Sequence, residues 1–167
     1  LLSGSNGRNQ IPVSKVGKIV AKTMMTVMGS EKEAELIRNA QDLMFNKKIR
    51  NRSTKSDWLS TNESEVGKYV QSNDMGFSFT TSAYYYLFNG ICQNFNGINL
   101  RRIPEEMPVL IFSGDRDPVG DYGKGPENLE KMYKKNGLKN VQLMLYENRR
   151  HELFNEGNRE QVIEDVT

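Results

Sequence analysis

"MPVLIFSGDRDPVG", residues 107–120, decides the fold. Val109 to Phe112 form a short apolar run between Pro108 and Gly114. A continuous run bounded in this way fits a strand buried on both faces, the usual situation in a parallel sheet. Downstream, Leu129, Met132 and Tyr133 recur at helical spacing, and Gly137 stands where a C-terminal cap belongs. "VQLMLY" (141–146) then gives a second strand. Strand, helix and strand make a β-α-β unit, and such a crossover predicts a parallel sheet with helices on its faces.

In a parallel sheet, ligands gather beyond the carboxyl ends of the strands. The loops there are "SGDRDPVGDYGKG" (113–125) and "ENRRHE" (147–152). Neighbouring strands lie about 4.8 Å apart, so a carboxylate of Asp115 or Asp117 is within reach of His151, the one histidine in the chain. An acid that orients a histidine is two-thirds of a catalytic triad. Plainer readings exist. On its presence alone, a histidine beside Arg149 and Arg150 is a solvated residue, and Gly, Asp and Pro are ordinary turn formers. A calcium loop fails, because Val119 and Pro126 occupy ligand positions. A phosphate loop fails as well: Pro118 replaces the first glycine and no Ser or Thr follows Lys124.

Upstream the texture is helical. Val16, Ile19, Val20, Met24, Val27 and Met28 fall on one face and Gly29 can end that helix. Ser30 with Glu33, and Ser60 with Glu63, have capping-box spacing and predict two further helix starts. "NKKIRNRSTKSD" (46–57) reads as a loop, and "SAYYYLFNGICQNF" (82–95) as a longer helix. These four helices without a strand look like an insertion into the sheet. The ends suggest a piece of a longer protein: "LLSGSNGRN" resembles the end of a strand, and "REQVIEDVT" begins a helical pattern that soon stops.

The chain has 167 residues, 37% apolar and 26% charged, as expected of a soluble globular domain. A net charge of +2 with scattered basic residues gives no footprint for nucleic acid. No stretch approaches a membrane span. The single cysteine, Cys92, excludes an internal disulfide framework and a cysteine-based zinc site, and fits a reducing cytoplasm. No nucleophile is found. "SGSNG" has Ser3 where G-x-S-x-G requires Gly, and Pro12 follows where the elbow requires a helix, so Ser5 is rejected. Cys92 falls inside a predicted helix and reads as packing.

The chain resembles the C-terminal part of an α/β-hydrolase of the lysophospholipase and monoacylglycerol lipase-like branch, related to serine aminopeptidases. "LLSGSNGRN", "DWLSTNESEVGKYVQSNDMGFSFTTSAYYYLFNGI", "IPEEMPVLIFSGDRDPVG" and "LMLYENRRHELFNE" carry the resemblance. It implies an α/β fold with residues 1–9 and 78–167 in the hydrolase core and 10–77 forming a helical cap. It implies that Asp117 rather than Asp115 is the triad acid and His151 the general base. The nucleophilic serine and the oxyanion-hole amides would lie in a missing N-terminal half, so this chain alone would be inactive. Expected substrates are carboxylic esters, lysophospholipid or monoacylglycerol-like, with no metal or cofactor. Met24, Met25, Met28, Phe77, Phe79 and Val119 are candidates to line the acyl channel, and ordinary packing is the competing explanation for each apolar residue. The alternatives are a non-catalytic α/β binding module, or an inactive proteolytic fragment of the hydrolase.

Overall fold

The computed structural model describes residues 2–3 and 10–167. Ser5 and the rest of 4–9 lie outside the described residues. Among the described residues, three strands form one parallel sheet in the order β1 (Leu2–Ser3), β2 (Val109–Gly114), β3 (Val141–Tyr146). Leu2 pairs with Ile111, and β2 runs in register with β3 from Val109↔Val141 to Gly114↔Tyr146. The expected β-α-β unit is present, with α6 (Lys124–Lys135) as its crossover.

The alternation along β2 explains its continuous apolar sequence. Ile111 points into a cluster with Leu100, Leu129, Tyr133, Leu138 and Val141. Its neighbour Phe112 points the other way, into a cluster with Tyr146, Leu153 and Val162. Successive side chains of a strand face opposite sides of the sheet, so a strand covered on both faces is apolar at every position. Helix α6 covers one face and α7 (Arg159–Val166) the other. Lys134 and Lys135 in the last turn of α6 complement its dipole.

Between β1 and β2 the described residues are helical: α1 (Ile11–Met28), α2 (Glu35–Phe45), α3 (Glu63–Gln71), α4 (Thr81–Asn94) and the short α5 (Gly97–Leu100). Pro12 sits in the first turn of α1, where its missing N–H costs nothing. Ala21, Ala34, Ile37, Tyr84 and Phe88 unite α1, α2 and α4 in a third cluster. The α1–α4 crossing is close because Gly17 faces the Phe88 ring; a Cβ there would lie 2.7 Å from the ring edge. In packing, α4 therefore joins the helical layer although it follows residue 77.

Two expected helix starts are corrected. Ser30 and Glu33 form no capping box: α2 begins at Glu35. The Ser30 carbonyl instead accepts hydrogen bonds from the Thr81 and Ser82 hydroxyls, and Ala34 N–H donates to the Phe79 carbonyl. Ser60 does not cap α3 either. Asn62 does, accepting from Ser64 N–H at 3.1 Å, while the Ser60 hydroxyl donates to the Asn155 carbonyl at 2.9 Å. At Ser60 a long-range hydrogen bond claims the hydroxyl that the local spacing had assigned to a cap, whereas at Ser30 it is the backbone carbonyl that is tied to a distant segment. Among the described residues, no helix is long and apolar enough to cross a membrane.

Candidate active site

The carboxyl ends of β2 and β3 bring their loops together through the main chain. Asp115 N–H donates to the Tyr146 carbonyl at 3.0 Å, and Arg116 N–H to the Arg149 carbonyl at 2.9 Å. Gly114 makes this possible: a Cβ built on it would lie 2.1 Å from the Arg149 carbonyl oxygen. Asn148 turns the second loop with a positive φ of 58°, a conformation asparagine tolerates better than most residues.

This framing sets Asp117 beside His151. Oδ2 of Asp117 lies 3.0 Å from Nδ1 of His151. The carboxylate is fully buried, and its other oxygen accepts the Val119 N–H at 2.8 Å. Tyr122 N–H closes the turn onto the Asp117 carbonyl at 2.8 Å. A carboxylate at Nδ1 favours the proton on that nitrogen and leaves Nε2 to accept one. The imidazole retains 28% exposure, so it is held on one side and open on the other. Asp115, the other candidate acid, makes no contact of this kind; its Oδ1 is buried without a hydrogen-bond partner.

The histidine loop has a second anchor that local patterns did not reveal. Glu156 is 3% exposed and accepts from the N–H groups of Arg150 (2.8 Å) and Thr61 (3.0 Å). It also accepts from the Thr61 hydroxyl, and the Arg149 guanidinium stands 3.9 Å away. Arg150 reaches across to the carbonyls of Asp57 and Ser60, at 2.5 and 2.9 Å. Glu152 N–H donates to the Leu59 carbonyl at 2.7 Å. The indole of Trp58 lies against the His151 ring, centroids 5.2 Å apart and planes inclined by 46°. The sequence offers a retrospective signal in the chain's one tryptophan, within "DWLS". Its partner could not be read, because the contact joins segments about ninety residues apart.

Replacing Glu156 with Ala leaves two amides and the Thr61 hydroxyl without their acceptor and the Arg149 guanidinium without its counter-charge. We expect a stability loss of about 2–4 kcal/mol, read as a lower urea midpoint with an unchanged slope.

The residues that follow Asp117, Pro118 and Val119, line a cleft of about 280 Å³ together with Tyr122, Met44, Phe45 and Val13; Asp117 and His151 themselves are not part of its wall. Lys48 Nζ sits 3.8 Å from the centre of the Tyr122 ring. Burial, then the carboxylates of Asp121 and Asp117, push the Tyr122 phenol above its ordinary pKa. Of the candidate channel residues, Val119 lines this cleft. Met24 and Met28 line a separate depression with Glu31, Lys32 and Glu35. Phe77 and Phe79 pack on each other at 5.9 Å, are 62% and 42% exposed, and do not line that cleft. Met25 lies on α1, outside both linings. Cys92 is partly buried within α4.

A parallel sheet with helices on both faces, an inserted helical layer, and a histidine and aspartate at its carboxyl edge define an α/β-hydrolase architecture. The family model for serine aminopeptidases (S33) matches residues 2–158. The chain belongs to that family. Among solved structures it is similar to a thermostable carboxyl esterase from Bacillus coagulans in complex with glycerol, at 23% identity and a TM-score of 0.79, covering 99% of this chain and 52% of that one. A lipase in its open form gives 22% identity and a TM-score of 0.74, covering 88% and 47%. A monoacylglycerol lipase of Paleococcus ferrophilus gives 17% identity and a TM-score of 0.57, covering 81% and 51%. The chain thus spans about half the length of the solved structures it matches. No curated protein matches it at a significant level.

Proposed function

We propose that this chain is the C-terminal part of a carboxylic-ester hydrolase in which Asp117 and His151 are the acid and base of a Ser-His-Asp triad. The observation that carries this reading is the 3.0 Å contact between His151 Nδ1 and the fully buried Asp117 carboxylate. The serine and the oxyanion-hole amides belong to a segment N-terminal to this chain, consistent with its half-length match to esterase and lipase structures. In this reading residues 10–77 supply the cap, on which α4 of the 78–167 segment packs, and the isolated chain is inactive.

The reaction is acyl transfer. The serine hydroxyl attacks the ester carbonyl while His151 Nε2 takes its proton; the imidazolium then protonates the departing alkoxide. Water repeats the cycle on the acyl-enzyme, with His151 again as base. Asp117 keeps the Nδ1 proton in place and stabilises the imidazolium without itself taking the proton. The cleft beside Val119, bounded by Met44, Phe45 and Val13, suits an apolar acyl group. Lysophospholipids and monoacylglycerols are the substrates that fit this reading, and a cytoplasmic setting fits the single cysteine.

The full-length protein is expected to hydrolyse monoacylglycerol and lysophospholipid at rates well above those on an aminoacyl amide, and His151→Ala is expected to abolish both ester activities. Turnover of the amide alone would replace the esterase reading with a peptidase one.

A further inference from the structure

We infer that Trp58 is a positioning residue for His151, held against the imidazole by a clamp between the cap and the histidine loop. This rests on the acid–base reading of His151 given above. One hydrogen bond at Nδ1 fixes that nitrogen but leaves the ring free to swing about the bond. A second contact, on the face of the ring, is needed to set its plane. Trp58 is the aromatic ring packed there, and Phe45 at the end of α2 backs it, with centroids 4.9 Å apart and planes inclined by 51°. The three rings run in series from the helical layer to the catalytic edge.

The tryptophan is itself held by polar contacts. Asp57 and Ser60, on either side of the Trp58–Leu59 pair, give their carbonyls to Arg150; the Leu59 carbonyl accepts Glu152 N–H; and Thr61 is bound to Glu156 through both N–H and hydroxyl. Every one of these partners lies within 150–156, the segment that carries His151. The backbone that carries the indole is therefore tied to the loop that carries the imidazole, so the two segments cannot separate without breaking these hydrogen bonds. Burial pushes the Asp42 carboxyl of α2 above its ordinary pKa, offset by Arg38, Lys55 and the Trp58 indole. Simple space-filling would require none of this register. A functional site placed on rigid elements needs such a supporting layer, since small misplacements of a catalytic group cost rate rather than binding.

The test uses the full-length protein with a short aryl ester. Trp58→Ala is expected to lower kcat about tenfold with KM within about twofold, and Trp58→Phe to restore kcat to within about threefold. The downfield Nδ1 proton of His151, assigned by its loss in His151→Ala, should broaden in Trp58→Ala and persist in Trp58→Phe. If Trp58→Ala does not fold, Trp58→Leu, which keeps apolar bulk without a flat ring, should show the same loss of kcat and the same broadening. Unchanged kcat and an unchanged Nδ1 resonance in the folded Ala or Leu variant overturn the inference. His151→Ala, run in parallel, separates the two failures. Retained activity there sinks the triad reading itself, whereas abolished activity with a fully active Trp58→Ala sinks the positioning role alone.

Discussion

Asp117→Asn is expected to lower kcat for ester hydrolysis by on the order of 10⁴-fold while leaving the fold intact. The carboxylate accepts at both oxygens, from His151 at 3.0 Å and from Val119 N–H at 2.8 Å. An asparagine can satisfy the Val119 amide with its carbonyl oxygen, which turns its NH₂ toward Nδ1. That donor forces the imidazole proton onto Nε2, the nitrogen that must accept from the nucleophile. The site then has its shape but the wrong tautomer. Asp115→Asn is the matched control, because Asp115 makes no contact with His151; its kcat should stay within about threefold of wild type. Parallel steady-state kinetics on the two variants decide between them, and a larger loss at Asp115 would reassign the acid.

Gly114→Ala is expected to destabilise the protein by at least about 3 kcal/mol, at or above the upper end of ordinary overpacking. The added methyl would meet backbone, not a movable side chain: the Arg149 carbonyl oxygen at 2.1 Å, its carbon at 2.4 Å and the Arg150 carbonyl oxygen at 2.4 Å. Relief requires the histidine loop to lift from β2, so the Asp117–His151 contact should be lost with the stability. Gly67 in α3 is the contrast, since a Cβ there meets nothing within 4 Å. Gly67→Ala should stabilise by about 0.5–1 kcal/mol through helix propensity and unfolded-chain entropy. Urea unfolding of both variants gives opposite signs on this account; a neutral Gly114→Ala would mean that the loop does not need to sit so close.

What could be read from the sequence followed the range of the interactions involved. The Val109–Phe112 run announced a strand covered on both faces, because burial of both sides leaves no polar alternation to disguise it. Two loops on one edge of a parallel sheet placed Asp115 and Asp117 within reach of His151 from topology, the family resemblance alone favoured Asp117, and Gly114, read only as the end of a strand, is what lets the loops close. The clamp was illegible. Ser60, Thr61 and Arg150 gave only local signals, a capping spacing and a charge, while their partners lie about ninety residues away. Ser30 misled for the same reason, its carbonyl being tied to Thr81 and Ser82. The placement of the methionines also escaped the pattern. A helical apolar stripe shows which residues share a face of α1, not that Met24 and Met28 lie over a charged depression rather than beside Val119.

The central claim, that His151 is the base of a serine hydrolase, is tested most directly by labelling the full-length protein with a fluorophosphonate. The phosphonate captures a serine only when a base activates it. Covalent labelling of the wild type, with suppression in both His151→Ala and Asp117→Asn, is the predicted result. Labelling that survives both substitutions, or a folded wild type that takes no label, would contradict it.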